Sequence, residues 1–341
     1  MLTENEQLHV DYNNAVADAE FYKDKLDIAT RKSVGYRVGS YINKMIRKTR
    51  KLLQNIRSWK FFREAMKLNR NGLNTEEVRE KRIIVSLTSY PARINKVPAT
   101  IGSLLRQTVK PDKIVLWLGI EKFPEKRLPE IYDEIRRCGV DIEFRQDLKS
   151  HTKYFYAIQE FSEDIIITVD DDLIYHNTMV EELYKSYVKY PNCISALRVH
   201  KMRFASDGSL MPYMSWIYEY NSEIGSKSHR YFATGTGGVL YPPHSLHKEA
   251  TNLMVIKERC HNHDDLWLKV MEVMNGTKVV IAADSKLASS KDILINDTQR
   301  TGQWHENVVE GGNEVQTASV LDYYSSWKKE DKGILEIMQI D

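Results

Sequence analysis

The chain predicts an α/β fold built on a mostly parallel sheet, and three observations carry that expectation. After Asn71-Gly72, short apolar runs alternate with stretches of helical pattern, as βαβ units require. The run Ile165-Ile166-Ile167-Thr168-Val169 is apolar or β-branched throughout, like a strand covered on both faces. It ends in Asp170-Asp171-Asp172, at the strand end where open α/β sheets collect their ligands.

Taken in order, residues 4–30 are polar and rich in helix formers. Leu8, Ala15, Tyr22 and Leu26 give only a ragged stripe, compatible with a short coiled coil. Ser33 to Gly39 reads as a break. Residues 40–68 read as a basic amphipathic helix, with Ile42, Met45, Ile46, Leu53, Ile56 and Trp59 at three- and four-residue steps and lysines and arginines between them. Such a helix either adsorbs to an anionic membrane surface or packs its stripe on the main domain. The expected division is a helical extension over 1–75, a catalytic domain over 80–310 and a tail over 311–341.

Within the central domain, Lys81 to Thr88, Lys113 to Leu118, Val140 to Arg145 and Asp164 to Val169 read as strands. Val97 to Thr108, Leu128 to Cys138 and Lys153 to Phe161 read as helices between them. Downstream come the glycine-rich Thr234-Gly-Thr-Gly-Gly with no clear strand before it, a helix from about Asp264 to Met274, a strand from Lys278, and a loop-like tail. The glycine segment is not a dinucleotide fingerprint, because Leu240 stands where a third glycine belongs and Tyr241-Pro242-Pro243 follows instead of a helix.

Composition sets the outer limits. The 341 residues are 42% hydrophobic and 28% charged, an ordinary globular balance with no run of membrane-spanning length. Residues 1–30 lack the pattern of a secretory signal, so a cytoplasmic location is expected, peripheral at the inner face of the plasma membrane if 40–68 binds lipid. Cys138, Cys193 and Cys260 are odd in number and far apart, which points to reduced thiols. The net charge of +2 hides an asymmetry: residues 31–70 carry thirteen basic side chains against one glutamate, and residues 1–30 seven acidic against two basic. Nucleic acid is not the expected partner, since neither a binding motif nor a basic body accompanies the patch.

Three neighbouring carboxylates need a cation, solvent or raised pKa values. Two like charges at roughly 4 Å repel by about 4 kcal/mol at an effective dielectric near 20. A hard divalent ion held by one or two of them keeps positions open for phosphate oxygens. A solvated acidic turn would explain the same residues without a ligand.

Several ordered pieces together resemble the GT-A (Rossmann-like) fold of nucleotide-sugar glycosyltransferases, in particular bacterial enzymes that build capsular or lipopolysaccharide glycans. They are Ile84 to Ile94, Thr100 to Gln107, His151-Thr-Lys-Tyr, Val169 to Tyr175, Gly235 to Pro243 and Asp264-Asp-Leu-Trp-Leu. The resemblance implies a Mn²⁺ or Mg²⁺ ion on Asp172 and Asp170, with His305 as a further ligand and Asp171 in the donor site. It places the nucleobase and diphosphate of the donor, a UDP-sugar first, at Thr88, Ser89, Tyr90 and Arg93, with Lys153 near the diphosphate. Gly237 and Gly238 would let donor or acceptor approach the backbone. Asp265, or else Asp264, would be the general base of an inverting transfer to a glycan or lipid-linked acceptor, because the attacking hydroxyl must lose a proton. Many relatives carry Glu-Asp there, which leaves the choice between the neighbours open. Two rivals remain: a Mg²⁺-dependent nucleotidyltransferase, and a scaffold that binds glycan without catalysis.

Overall fold

The computed structural model describes residues 62–221, 224–284, 288, 290–295 and 312–340. Two compact units divide the chain, 1–64 and 65–341, and every described strand lies in the second. The expected coiled coil over 4–30 and nearly all of the basic helix over 40–68 lie outside the described residues, as does His305.

The first half is the alternation that the sequence predicts. Strand β1 (Ile83–Ser89) is followed by α1 (Val97–Leu104), β2 (Lys113–Gly119), α2 (Ile131–Arg137), β3 (Asp141–Arg145), two short helices α3 (Thr152–Phe155) and α4 (Ala157–Glu160), and β4 (Ile165–Thr168). After the acidic triplet come β5 (Leu173–Ile174), α5 (Met179–Lys189), β6 (Ile194–Ala196), β7 (Val199–Lys201), β8 (Lys227–Ser228), β9 (Tyr231–Ala233) and β10 (Val239–Tyr241). The chain continues through α6 (Leu253–Arg259), α7 (Asp264–Asn275), β11 (Val279–Ile281), β12 (Ile293–Leu294), α8 (Gly312–Tyr323) and α9 (Ile334–Met338).

Eight strands form one sheet in the order β3-β2-β1-β4-β10-β6-β11-β8. β1, β2, β3 and β4 run parallel, β10 is antiparallel to both β4 and β6, and β11 returns parallel to β6. The mostly parallel α/β architecture expected from the sequence is the one observed.

The apolar strands are explained by cover on both faces. Ile84, Val115, Trp117 and Ile166 join the core beneath α7, α8 and α9, whereas Ile83, Val85, Leu87 and Ile167 join a second core with α1, α2 and α5. Strand residues alternate between those two cores, so both faces of β1 and β4 are covered, and polar Ser86 and Thr168 are buried there with the apolar residues. All three cysteines are buried and unbridged, as expected. No described helix is long and apolar enough to cross a membrane.

Three local expectations change. A strand does precede the glycine segment: β9 is three residues long, too short for periodicity to reveal, and is held by pairing with β7. The predicted helix to Thr108 stops at Leu104, and the Gln107 side-chain amide then bonds the carbonyls of Ser103 and His176. Residues 312–340 carry two helices, α8 and α9, in place of the expected loop-like tail. Val320, Ile334, Ile337 and Met338 are buried in the same core as α7, and that apolar burial is what the polar appearance of the segment concealed.

Candidate functional site

The carboxyl ends of β1 and β4 lie side by side, with Ser86 opposite Thr168. The acidic triplet therefore emerges next to Ser89. Asp171 turns inward: its Oδ2 accepts from Ser89 Oγ at 2.5 Å and its Oδ1 from Arg93 Nη1 at 2.5 Å. Asp172 keeps its carboxylate 3.1 Å from the same Arg93 nitrogen and is partly open, while its backbone carbonyl accepts from Ile295 N at 2.8 Å. Asp170 points to the other side, where its Oδ1 accepts from Lys153 Nζ at 2.7 Å.

Lys153 owes its position to two anchors. Ser86 of β1 donates its hydroxyl to the Lys153 carbonyl while accepting Trp117 Nε1–H. His151 shares one ring nitrogen with Tyr154 Oη at 3.0 Å and donates the other N–H to the Cys260 carbonyl at 2.6 Å, which ties α3 to the loop that opens α7. Burial holds His151 neutral, with its pKa down at about 4. Across that junction Lys153 Nζ meets Asp264 Oδ2 at 3.1 Å.

The electrostatics follow from five carboxyls sharing Lys153 and Arg93. Burial disfavours the Lys153 ammonium, yet Asp170, Asp264 and Asp265 outweigh it and the group stays protonated. Burial likewise opposes the Asp264 charge, but the Lys153 ammonium overcomes it and brings the pKa to about 2. Asp265 feels Lys153 too weakly for the lysine to win. Desolvation first, then the charge of Asp264, push it up to about 7. Asp172 rises to about 7 for related reasons, burial and then the neighbouring Asp170, with Arg93 only partly offsetting them.

Three segments meet at Gly235. A Cβ there would lie 2.8 Å from Lys153 Nζ and 3.2 Å from both Asp170 Oδ1 and Asp265 Oδ1, while the Gly235 N–H donates to Asp265 Oδ2 at 3.0 Å. No side chain fits at that position without displacing the charged groups. Gly235→Ala is therefore expected to leave the fold standing and to cost at least tenfold in whatever turnover the site performs, as when catalytic groups are misplaced by about 1 Å. Steady-state kinetics beside a thermal melt checks this, and a fully active Gly235→Ala protein contradicts the assigned role.

The structure brings together Ser89, Arg93, Asp170, Asp171 and Asp172 at one strand end, and Lys153, Asp264 and Asp265 directly beside them. Thr88 is at the end of β1, but its hydroxyl donates to the Trp117 carbonyl at 3.0 Å. The Tyr90 ring lies under the Arg93 guanidinium, 5.5 Å from its centroid. Gly237 and Gly238 adopt φ of +93° and +95°, and their open sides face Arg198 and Met179 rather than the carboxylates. The residue at the carboxylates is Gly235, a member of the same motif that spacing alone did not single out. Sequence reasoning also missed Thr236, whose hydroxyl reaches Asp170 Oδ2 at 3.5 Å, and Tyr175, whose hydroxyl accepts the Asp170 N–H at 2.8 Å. The Thr-Gly-Thr-Gly pattern was the available signal for Thr236; Tyr175 gave none.

The donor set suits a hard divalent cation. Asp170 and Asp172 offer carboxylate oxygens that are partly open, and the raised pKa of Asp172 marks negative charge without enough local compensation. Among the described residues no three His, Cys, Asp or Glu side chains converge into a cage. Asp171 is turned away to Arg93, so an ion here would rest on two protein carboxylates and fill its shell from substrate and water.

No protein-family description matches the chain, and no curated protein matches it. Among solved structures, that of a 4-diphosphocytidyl-2C-methyl-D-erythritol synthase superposes with a TM-score of 0.39 and 11% identity, over 66% of this chain and 96% of the other. A likeness that weak leaves the fold to be read from its own topology.

Proposed function

We propose that the chain is a metal-assisted transferase acting on a nucleotide-activated substrate, and within that class a glycosyltransferase. It would move a sugar from a nucleoside-diphosphate donor, UDP-linked in the first instance, to a hydroxyl of a surface glycan of capsule or lipopolysaccharide type. The observation that carries this reading is the convergence on Gly235. A strand-end carboxylate suited to metal, a buried lysine, and a separate carboxyl with a near-neutral pKa crowd around the one glycine, Gly235.

Asp170 and Asp172 would hold Mn²⁺ or Mg²⁺, which when bound neutralises the charge growing on a leaving diphosphate. Lys153 holds Asp170 and Asp264 in place from one side, and Arg93 fixes Asp171 and Asp172 from the other. Asp265 would be the base: Gly235 N–H orients one oxygen, which leaves the other to take the proton of an acceptor hydroxyl. In an inverting displacement the diphosphate would leave towards the ion held by Asp170 and Asp172, on the opposite side of the sugar from the attacking hydroxyl.

The pKa of Asp265 gives the pH dependence its sign. A base works only when deprotonated, so with a pKa of about 7 the rate is expected to climb from pH 6 to pH 8 and then level. A flat or falling profile over that interval would remove Asp265 from the role.

One observation also suits a nucleotidyl transfer. The buried Lys153 ammonium beside Asp170 would serve equally well in neutralising charge at an α-phosphate. Products separate the two. With Mn²⁺, sugar nucleotides should yield nucleoside diphosphate, whereas a nucleoside triphosphate with a sugar phosphate would yield pyrophosphate. Release of pyrophosphate alone would replace the glycosyl reading, and release of neither would favour a binding scaffold.

A further inference from the structure

Beside the carboxylates stands an aromatic cluster that the donor chemistry leaves unused. Phe232, in the strand that leads into Thr234-Gly235, packs its ring 6.2 Å from that of His263, the residue before Asp264. Tyr213 sits 6.1 Å from Phe232, 4.9 Å from Trp216 and 5.5 Å from Tyr218. Trp216 and Phe232 are buried, but Met214 is 64% and Tyr218 38% exposed, so the outer layer of the cluster faces solvent.

Polar groups frame this layer. Arg198 reaches Glu219 Oε1 at 3.3 Å with Nε and Thr234 Oγ1 at 3.5 Å with Nη1, which links the aromatic side to the residue before Gly235. Glu219 is held at φ +46°, a left-handed conformation that costs a non-glycine residue about 1 kcal/mol or more and clusters at ligand sites. Its N–H donates to His200 Nδ1 at 3.1 Å, and the His200 ring lies 4.5 Å from Tyr218. The Tyr213 hydroxyl makes no hydrogen bond with the described residues. Burial, then Tyr218 and Asp265, keep it protonated, so it is a donor close enough to feel the base.

We propose that Tyr213, Met214 and Tyr218, framed by Arg198 and Glu219, form the subsite that receives a pyranose ring of the acceptor and presents its hydroxyl to Asp265. Ring C–H faces of a sugar are apolar and pack on exposed aromatic surface, while equatorial hydroxyls take the donors and acceptors at the rim. A lipid chain would leave the Tyr213 hydroxyl unmatched and would cover the Arg198–Glu219 pair with hydrocarbon, which is the argument for a carbohydrate occupant. The inference rests on the glycosyl-transfer reading but occupies a different surface from the donor.

Saturation-transfer NMR with methyl gluco-, galacto- and mannopyranosides and methyl N-acetylglucosaminide tests it without any donor. At least one glycoside is expected to receive saturation on its ring protons from the wild-type protein. Tyr218→Ala should lower that signal roughly fivefold or more, and Tyr213→Phe should weaken it by removing the hydroxyl. Val188→Ser, on an exposed face of α5, should not change it, and Asp172→Ala should retain it because only the donor side is altered. Near-UV circular dichroism confirms that each variant is folded. Absence of transfer to every glycoside, an unchanged signal in folded Tyr218→Ala, or equal transfer to cyclohexanol would overturn the proposal. Each of those results leaves the donor reading to its own metal and nucleotide assay.

Discussion

Asp265→Asn is expected to lower transfer by about 10²- to 10⁴-fold while the protein still binds nucleoside diphosphate with Mn²⁺. The amide is nearly isosteric with the carboxylate, and its oxygen can still accept the Gly235 N–H now 3.0 Å from Oδ2, so the geometry survives and the proton acceptor does not. Stability should move the other way. A carboxyl whose folded pKa is raised to about 7 destabilises the fold progressively as pH climbs from its unfolded value near 4 towards 7, so above pH 7 the variant should melt at or above the wild-type temperature. Initial rates at saturating donor, beside melting curves at pH 6 and 8, provide the check. Turnover within a few-fold of wild type would pass the base to Asp264, whose pairing with Lys153 at 3.1 Å argues against it.

Lys153→Met should be the most destabilising single exchange at the site. The ammonium is buried and bridges Asp170 at 2.7 Å and Asp264 at 3.1 Å, and Asp264 is itself buried. Removing one member of such a cluster leaves buried negative charge without compensation, which costs about 3–5 kcal/mol; the partial exposure of Asp170 favours the lower end. The sign with pH follows from Asp264. Its depressed pKa of about 2 exists because of Lys153, so without the lysine it would take up a proton more readily and the deficit should shrink as pH falls from 7.5 to 5. Denaturant unfolding at both pH values measures this. A change under about 1 kcal/mol at pH 7.5 would mean that the lysine is not a structural clamp.

How much of the fold and site was legible in the sequence depended on the length of each signal. The strands of the first half are long apolar runs, and Ile83 to Ser89 or Ile165 to Thr168 could be placed within a residue or two because both faces are covered. The acidic triplet and Asp264-Asp265 could be seen as chemistry because carboxylates crowded at a strand end or a helix start need a partner. That Asp171 would turn to Ser89 and Arg93 while Asp170 and Asp172 stayed open was not readable, since three adjacent aspartates are alike until β1 is laid beside β4. The meeting of Lys153 with Asp264 depends on His151 bonding Cys260, a contact across more than a hundred residues that leaves no local pattern. Strand β9 and helices α8 and α9 escaped for the opposite reason, being too short or too polar on average for periodicity to show.

The central claim is that the strand-end carboxylates hold a divalent ion against the phosphates of an activated substrate. Melting temperatures with UDP, with Mn²⁺ and with both together, for wild type and Asp172→Ala, address it directly, since a ligand bound only by the folded state stabilises by mass action. The expected result is a rise in the wild-type protein that needs both components, strengthens between pH 6 and 8 as Asp172 loses its proton, and vanishes in a folded Asp172→Ala variant. An equal rise in both proteins, or no rise with any nucleotide and Mn²⁺ combination, would contradict it.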